Sequence, residues 1–176
     1  MVQIAGVFAG GWVVATAMAA HLPRLLGDLG LRPEHAAWAA GLTGASAVAA
    51  RLFDLMVLHR SHPVLTVRIA SLFHPLGAAA ALCGARFAPL LAVGQGLGNG
   101  LLSVASGVLP LHVFGPERYA VRQALVLTPA RYLQAIAPAA YALAVEVSPL
   151  AALIVSSLVC LGVFALTLGL RPVSAP

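Results

Sequence analysis

The sequence predicts an all-α, polytopic membrane protein of six transmembrane helices, and three observations carry that expectation. Hydrophobic residues make up 61% of the 176-residue chain and charged residues only 9%, where a soluble domain carries roughly 25%. Mean hydropathy is +0.97. The apolar residues gather into six stretches, 2–20, 36–58, 64–84, 88–113, 120–145 and 149–170. Each approaches the roughly 20 residues a helix needs to cross a hydrocarbon core about 30 Å thick. Strict apolar–polar alternation is missing, and the run Leu153–Leu170 is apolar on every side. Lipid offers no hydrogen-bond partner, so these are helices rather than barrel strands.

Each stretch has its own argument. The first has no basic residue ahead of it and exceeds a signal-peptide core, so it reads as a retained span. Turn chemistry predicts breaks at Leu22-Pro23, Arg32-Pro33, His62-Pro63, Ala88-Pro89, Gly115-Pro116 and Ser148-Pro149. Pro33, Pro63, Pro89 and Pro149 fall before or at the start of a span, where a missing N–H is harmless. The fourth span carries Gly94, Gly96, Gly98 and Gly100, two interleaved pairs at the spacing that lets membrane helices approach closely. The fifth contains Pro129 and Pro138, which should bend it. Cys83 and Cys160 both fall inside apolar spans and read as small core thiols. No linker, repeat or low-complexity run divides the chain, so residues 1–176 form one bundle.

Charge sets orientation. The ten basic residues are all arginines, scattered singly among apolar segments, a pattern that argues against a nucleic-acid partner. With the N-terminus cytoplasmic, the inner side carries Arg51, Arg60, Arg68, Arg118, Arg122 and Arg171. Arg24, Arg32 and Arg86 lie outside, offset by Asp28, Glu34 and Glu146. An inner excess of arginine predicts that both termini are cytoplasmic.

Several polar residues stand out against this background. At about 100° per residue, Gln95, Asn99, Ser103 and Ser106 form one stripe on the fourth span. Such a stripe either lines an aqueous path or bonds to other helices. Arg131 is the sharper feature, because it falls about 13 Å beyond Arg122 along the helix, near the membrane midplane. An arginine there costs at least about 2.5–3.5 kcal/mol unless compensated. Thr128, Gln134 and Pro138 share its side of the helix. It is expected to face a central cavity and bind an anionic group, or else to form a structural ion pair or snorkel.

Arg51 and Asp54 lie three apart near the inner end of the second span, close enough to interact. They are read as a cytoplasmic gate or as an interfacial anchor. His74, next to Pro75, is a candidate proton-responsive residue. The six histidines show no metal or haem spacing, and neither a catalytic triad nor a nucleotide loop is present, so no cofactor, metal or enzymatic activity is expected.

Taken together, these residues resemble the C-terminal six-helix half of the major facilitator superfamily. The resemblance rests on His21-Leu22-Pro23, the stretch from Gly44 to Arg51, His62-Pro63, and the run GLGNGLLS from Gly96 to Ser103. It continues through Gly107 to Pro110, Phe114 to Glu117, Tyr119, and Gln134 to Pro138. These look like the tenth and eleventh helices of bacterial efflux-type members. The chain departs from that style at Ala47 and Ser106, where such members often carry glutamine and arginine. The resemblance implies two inverted three-helix repeats in a bacterial inner membrane, and proton-coupled efflux of a small solute by alternating access. Arg131, Gln95, Asn99, Ser103 and Gln134 would line the substrate cavity. It also implies twelve helices in all, so this chain is expected to be a gene fragment or to pair with a second six-helix bundle. The rival expectation is a membrane scaffold that docks a partner through its glycine face.

Overall fold

The computed structural model, which describes residues 1–170, forms α1 (Val2–Asp28), α2 (Pro33–Met56), α3 (Pro63–Leu82), α4 (Pro89–Phe114), α5 (Tyr119–Val147) and α6 (Pro149–Leu168). Four of these helices begin on a proline, as the sequence predicts. Proline presets the helical φ and gives up an N–H that has no partner in the first turn. Two starts gain a side-chain cap. The His62 Nδ1 accepts from Val64 N at 3.2 Å, and Ser148 Oγ accepts from Ala151 N at 2.9 Å. Gly30, Gly84 and Gly115 turn the chain between helices at positive φ. Arg171 lies outside the described residues.

One expectation about the helices is corrected: α1 does not stop at Leu22-Pro23 but runs through Pro23 to Asp28. Leu22, Leu25 and Leu26 are all buried, so packing continues across the proline and holds the helix together. Helix α5 holds both Pro129 and Pro138 within one continuous element. Among the described residues, four helices, α1, α3, α4 and α6, are both long and apolar enough to cross a membrane, where the sequence predicts six spans. The other two, α2 and α5, are long enough, but their polar side chains (among them Thr43, Arg51 and Asp54, or Gln123, Arg131 and Gln134) lower their hydropathy. Large apolar side chains such as Ile154, Leu158 and Leu161 point outward from α6. Contiguous exposed grease of that kind marks a molecule that meets lipid or a partner rather than bulk water.

The helices alternate in direction, so Met1 and Leu170 lie at the same end, called here the terminal end. The Gln3 amide meets the Leu166 carbonyl there, and the rings of His62 and His112 lie 4.5 Å apart. Packing is organised around α1 and α4. Helix α4 lies along α2 and α3; α1 lies along α5 and α6; and α3 meets α6. Two large apolar clusters, and a smaller one of Ala50, Leu58, Ala70 and Leu101, fill the interior. One, around Phe8, Val67, Leu109 and Val163, sits toward the terminal end. The other, around Leu25, Leu91, Tyr141 and Leu153, sits toward the opposite end.

The glycines of α4 set the closest contacts. A Cβ on Gly96 would overlap the Thr43 carbonyl of α2, and one on Gly100 would overlap the Ala47 carbonyl. On the other side, a Cβ on Gly98 would come within 2.8 Å of the Ala70 carbonyl of α3, and one on Gly94 would meet the Phe73 carbonyl. The two interleaved pairs therefore face two different helices. This close backbone packing brings α2, α4 and α3 together, as small residues do between helices in lipid.

Candidate functional site

The close approach at Gly96 places Thr43 of α2 against the polar stripe of α4. There, Thr43, Gln95 and Asn99 face Ala15 and Ala19 of α1 across a cavity of about 230 Å³. Leu22, Pro23 and Ala40 close one side of it. Thr43 Oγ1 and Asn99 Oδ1 are buried and have no hydrogen-bond partner among the described residues. Buried polar atoms are almost always paired, because leaving one bare costs about 1–3 kcal/mol. A cavity edged by two such atoms can take up water or the polar part of a solute.

The α1 face continues into a second polar group at α5. Thr16 lies one residue along from Ala15 and donates to the Trp12 carbonyl at 2.9 Å. The Gln134 amide donates to Thr16 Oγ1 at 3.0 Å, and Arg131 donates to Gln134 Oε1 at 3.1 Å. The Arg131 guanidinium also lies 5.7 Å from the centre of the Trp12 ring, within cation–π reach. Trp12 Nε1 is a further buried donor without a partner among the described residues. Arg131 itself is exposed, and it makes no ion pair among the described residues. It stands on the α1–α5 seam rather than on the wall of the cavity just described.

The stripe on α4 divides in two. Gln95 and Asn99 reach the cavity, while Ser103 donates to the Gly100 carbonyl at 2.7 Å and Ser106 to the Ser103 carbonyl at 2.8 Å. Ser103 also accepts from Arg51 Nε at 3.0 Å. Arg51 and Asp54 do not pair with one another. Asp54, 8% exposed, accepts from Thr66 Oγ1 of α3 at 3.1 Å, so each residue ties α2 to a different neighbour. Their spacing allowed an interaction, but neutral hydroxyls on α3 and α4 lie where these two rotamers reach.

Behind the cavity runs a buried chain of polar groups. His74 of α3 meets Ser156 Oγ of α6 at 2.8 Å, and Ser156 meets Tyr141 Oη of α5 at 3.2 Å. Gln95 lies beside His74 and shares a small cavity with it. At the terminal end, burial, the neighbouring His112 and then Arg68 hold the His62 imidazole below its ordinary pKa. Of the two thiols, Cys160 is buried as expected. Cys83 is exposed at the C-cap of α3, because that helix ends before the thiol reaches the core. Among the described residues, no three His, Cys, Asp or Glu side chains converge to hold a metal.

The site residues that sequence reasoning missed are Trp12, Thr16, Thr43, Tyr141 and Ser156. Trp12 and Thr16 stand four apart on α1, with Ala15 and Ala19 at related positions of the same face. That spacing is the one signal by which the first two could have been found. Comparison with family models, curated proteins and solved structures gives no match for this chain.

Proposed function

We propose that this chain is a six-helix bundle of a secondary transporter of the major facilitator kind, moving a small solute through the space bordered by α1, α2, α4 and α5. The observation that carries this reading is the meeting of Thr43, Gln95 and Asn99 around one cavity with two unpaired oxygens. A purely structural polar stripe would have paired them.

Three further features support it. Exchanging α1 with α4, α2 with α5 and α3 with α6 maps α1–α5 packing onto α4–α2, α1–α6 onto α4–α3, and α1–α2 onto α4–α5. The α3–α4 contact is about twice as extensive as its counterpart α1–α6, and the α5–α6 contact has no counterpart of similar extent among the described residues. That is the pattern of two related three-helix units in opposite orientation. The two helices that fall short in hydropathy, α2 and α5, are partners under that exchange. They also carry the polar residues that would face a water path and a second bundle, whether the other half of a longer protein or a second copy. In contrast, the α4 glycines are covered by α2 and α3 within the chain, so the glycine face of the fourth span is not free for a scaffold to present.

Orientation follows from charge. The terminal end and adjoining turns hold Arg51, Arg60, Arg68, Arg118 and Arg122, against Arg24, Arg32 and Arg86 at the other. At that other end, Arg24 lies 3.9 Å from Asp28, and Arg32 lies 3.7 Å from Glu34. In a bacterial inner membrane this bias puts both termini in the cytoplasm. Solute movement would be driven by a proton gradient.

Single cysteines test the proposal. In a Cys83→Ser, Cys160→Ala background, Thr43→Cys, Asn99→Cys and Arg131→Cys should react with a small hydrophilic maleimide in intact membranes. Ile154→Cys and Leu158→Cys, on the outward apolar face, should not. Equal silence at all five positions would remove the transport reading.

A further inference from the structure

His74 is 2% exposed, and its two ring nitrogens have different surroundings. Nε2 faces Ser156 Oγ at 2.8 Å. The single hydroxyl hydrogen of Ser156 is directed to its own helix, where the Ala152 and Leu153 carbonyls lie at 3.0 and 3.2 Å. Tyr141 Oη likewise has the Ala152 carbonyl at 2.8 Å. That direction leaves Ser156 a lone pair toward the imidazole, which suits the tautomer with the hydrogen on Nε2. Nδ1 is then a bare acceptor, buried and without a partner among the described residues.

The side chain lines a small cavity of about 30 Å³ whose polar lining is Ser71, His74, Gln95 and Asn99. Roughly 10–15 Å³ suffices for one water. Asn99 Oδ1 is a second unpartnered acceptor on that cavity. A single water has two hydrogens and can donate one to each. Gln95 and Asn99 also form part of the wall of the larger cavity between α1, α2 and α4.

We propose that His74 is the proton-binding residue of this bundle, loaded from the solute cavity through a water held between its Nδ1 and Asn99 Oδ1. The inference rests on the transport reading for its supply of water. A hydronium in the cavity gives its proton to Nδ1. One O–H bond breaks, one N–H bond forms, and what remains is a water and an imidazolium that keeps its Nε2–H on Ser156. The titratable groups nearby are few. Cys160 of α6 shares the small cavity, and Tyr141 of α5 is reached through Ser156. Arg68, on the same helix as His74, is directed to Thr167. From α1 come Gly11, Val14 and Ala15, and from α4 uncharged side chains; no described arginine, aspartate or glutamate lines the cavity. Protonation therefore turns Nδ1 from acceptor to donor with no counter-ion to mask the change. The water must reverse, and Asn99 and Gln95 pass that reversal to the solute cavity.

The test is a pH titration of the full chain in lipid nanodiscs, with ¹⁵N-labelled histidine read by NMR. The His74 ring is identified by its correlation with labelled Ser156, and independently by its loss in His74→Gln if that variant inserts. The expected result is a neutral Nε2–H ring at about pH 9 that takes up a second proton, reversibly, as the pH is lowered. Asn99→Leu should lower the midpoint by about one pH unit or more, a tenfold loss of proton affinity. A His74 ring fixed in one state while other histidines titrate overturns the inference, as does an unchanged midpoint in Asn99→Leu. Labelled cysteines at 43 and 99 beside a silent His74 would overturn this inference alone. A titrating His74 with those cysteines sealed would overturn the cavity reading instead.

Discussion

Gly96 of α4 sits so close to the Thr43 carbonyl of α2 that no other residue fits without moving a helix. Gly96→Leu should therefore separate α2 from α4 and distort the cavity that Thr43, Gln95 and Asn99 share. Overpacking of this kind costs about 1–3 kcal/mol or more. A Cβ at Gly162 meets nothing within 4 Å, so Gly162→Ala should leave stability unchanged. Thermal unfolding in nanodiscs compares the two, and an equal effect of both would contradict the close packing.

Gln123 and Pro110 form a second linked pair. Pro110 lies inside α4 and has no N–H to give to the Ser106 carbonyl four residues back. The Gln123 side chain of α5 fills that role at 3.1 Å. Gln123→Ala should destabilise the bundle by about 0.5–1.5 kcal/mol. In a Pro110→Ala background the backbone supplies its own donor, and the same Gln123→Ala substitution should cost clearly less. A double-mutant cycle measures the difference; strict additivity would mean that the two residues are not coupled.

His62 predicts a pH dependence. Its pKa in the fold lies below the ordinary 6.5, chiefly through burial, then through His112 and Arg68. The fold thus favours the neutral ring, and protonation also takes Nδ1 away from the Val64 N–H that it caps. The contribution is full above about pH 6.5 and is lost as pH falls through the lower, folded-state value. The melting temperature should drop between about pH 7 and about pH 5. His62→Ser keeps a capping group that does not titrate, and it should flatten that slope. An unchanged slope would assign the acid sensitivity to another group.

The sequence made some of this legible and hid the rest for identifiable reasons. Proline is tolerated at a helix start for a local reason, so Pro33, Pro63, Pro89 and Pro149 could be read without any knowledge of tertiary contacts. Gly94, Gly96, Gly98 and Gly100 were legible because their spacing is itself the packing code. Pro23 was misread as a break because only the burial of Leu22, Leu25 and Leu26 shows that the helix continues beyond it. Arg51 and Asp54 were misread as partners because spacing gives proximity but not rotamer. Thr66 and Ser103 take up those side chains, and both belong to other helices. Thr43 left no local trace, since a hydroxyl in an alanine-rich helix normally bonds back to its own turn, whereas its Oγ1 has no partner among the described residues. Only the register between helices decides otherwise.

Arg131 gives the last prediction. It lies two residues from the middle of α5, and if α5 spans the membrane as proposed, a guanidinium there costs about 2.5–3.5 kcal/mol on insertion scales. Gln134 and the Trp12 ring are its polar and π contacts among the described residues, and neither carries a negative charge. A cation–π contact of this kind returns only about 0.5–2 kcal/mol, so water or a bound anion must supply the rest. Arg131→Gln should accordingly keep or raise the thermal stability of the bundle while abolishing its attraction for anions. Iodide quenching of Trp12 emission, in a Trp38→Phe background, reads that attraction directly. Quenching by iodide should fall several-fold in Arg131→Gln, while quenching by neutral acrylamide stays the same. Arg131→Lys should keep most of the iodide effect, because the charge remains, but lose the planar stacking on Trp12. A large loss of stability in Arg131→Gln with iodide access intact would make Arg131 a structural tie between α1 and α5 and nothing more.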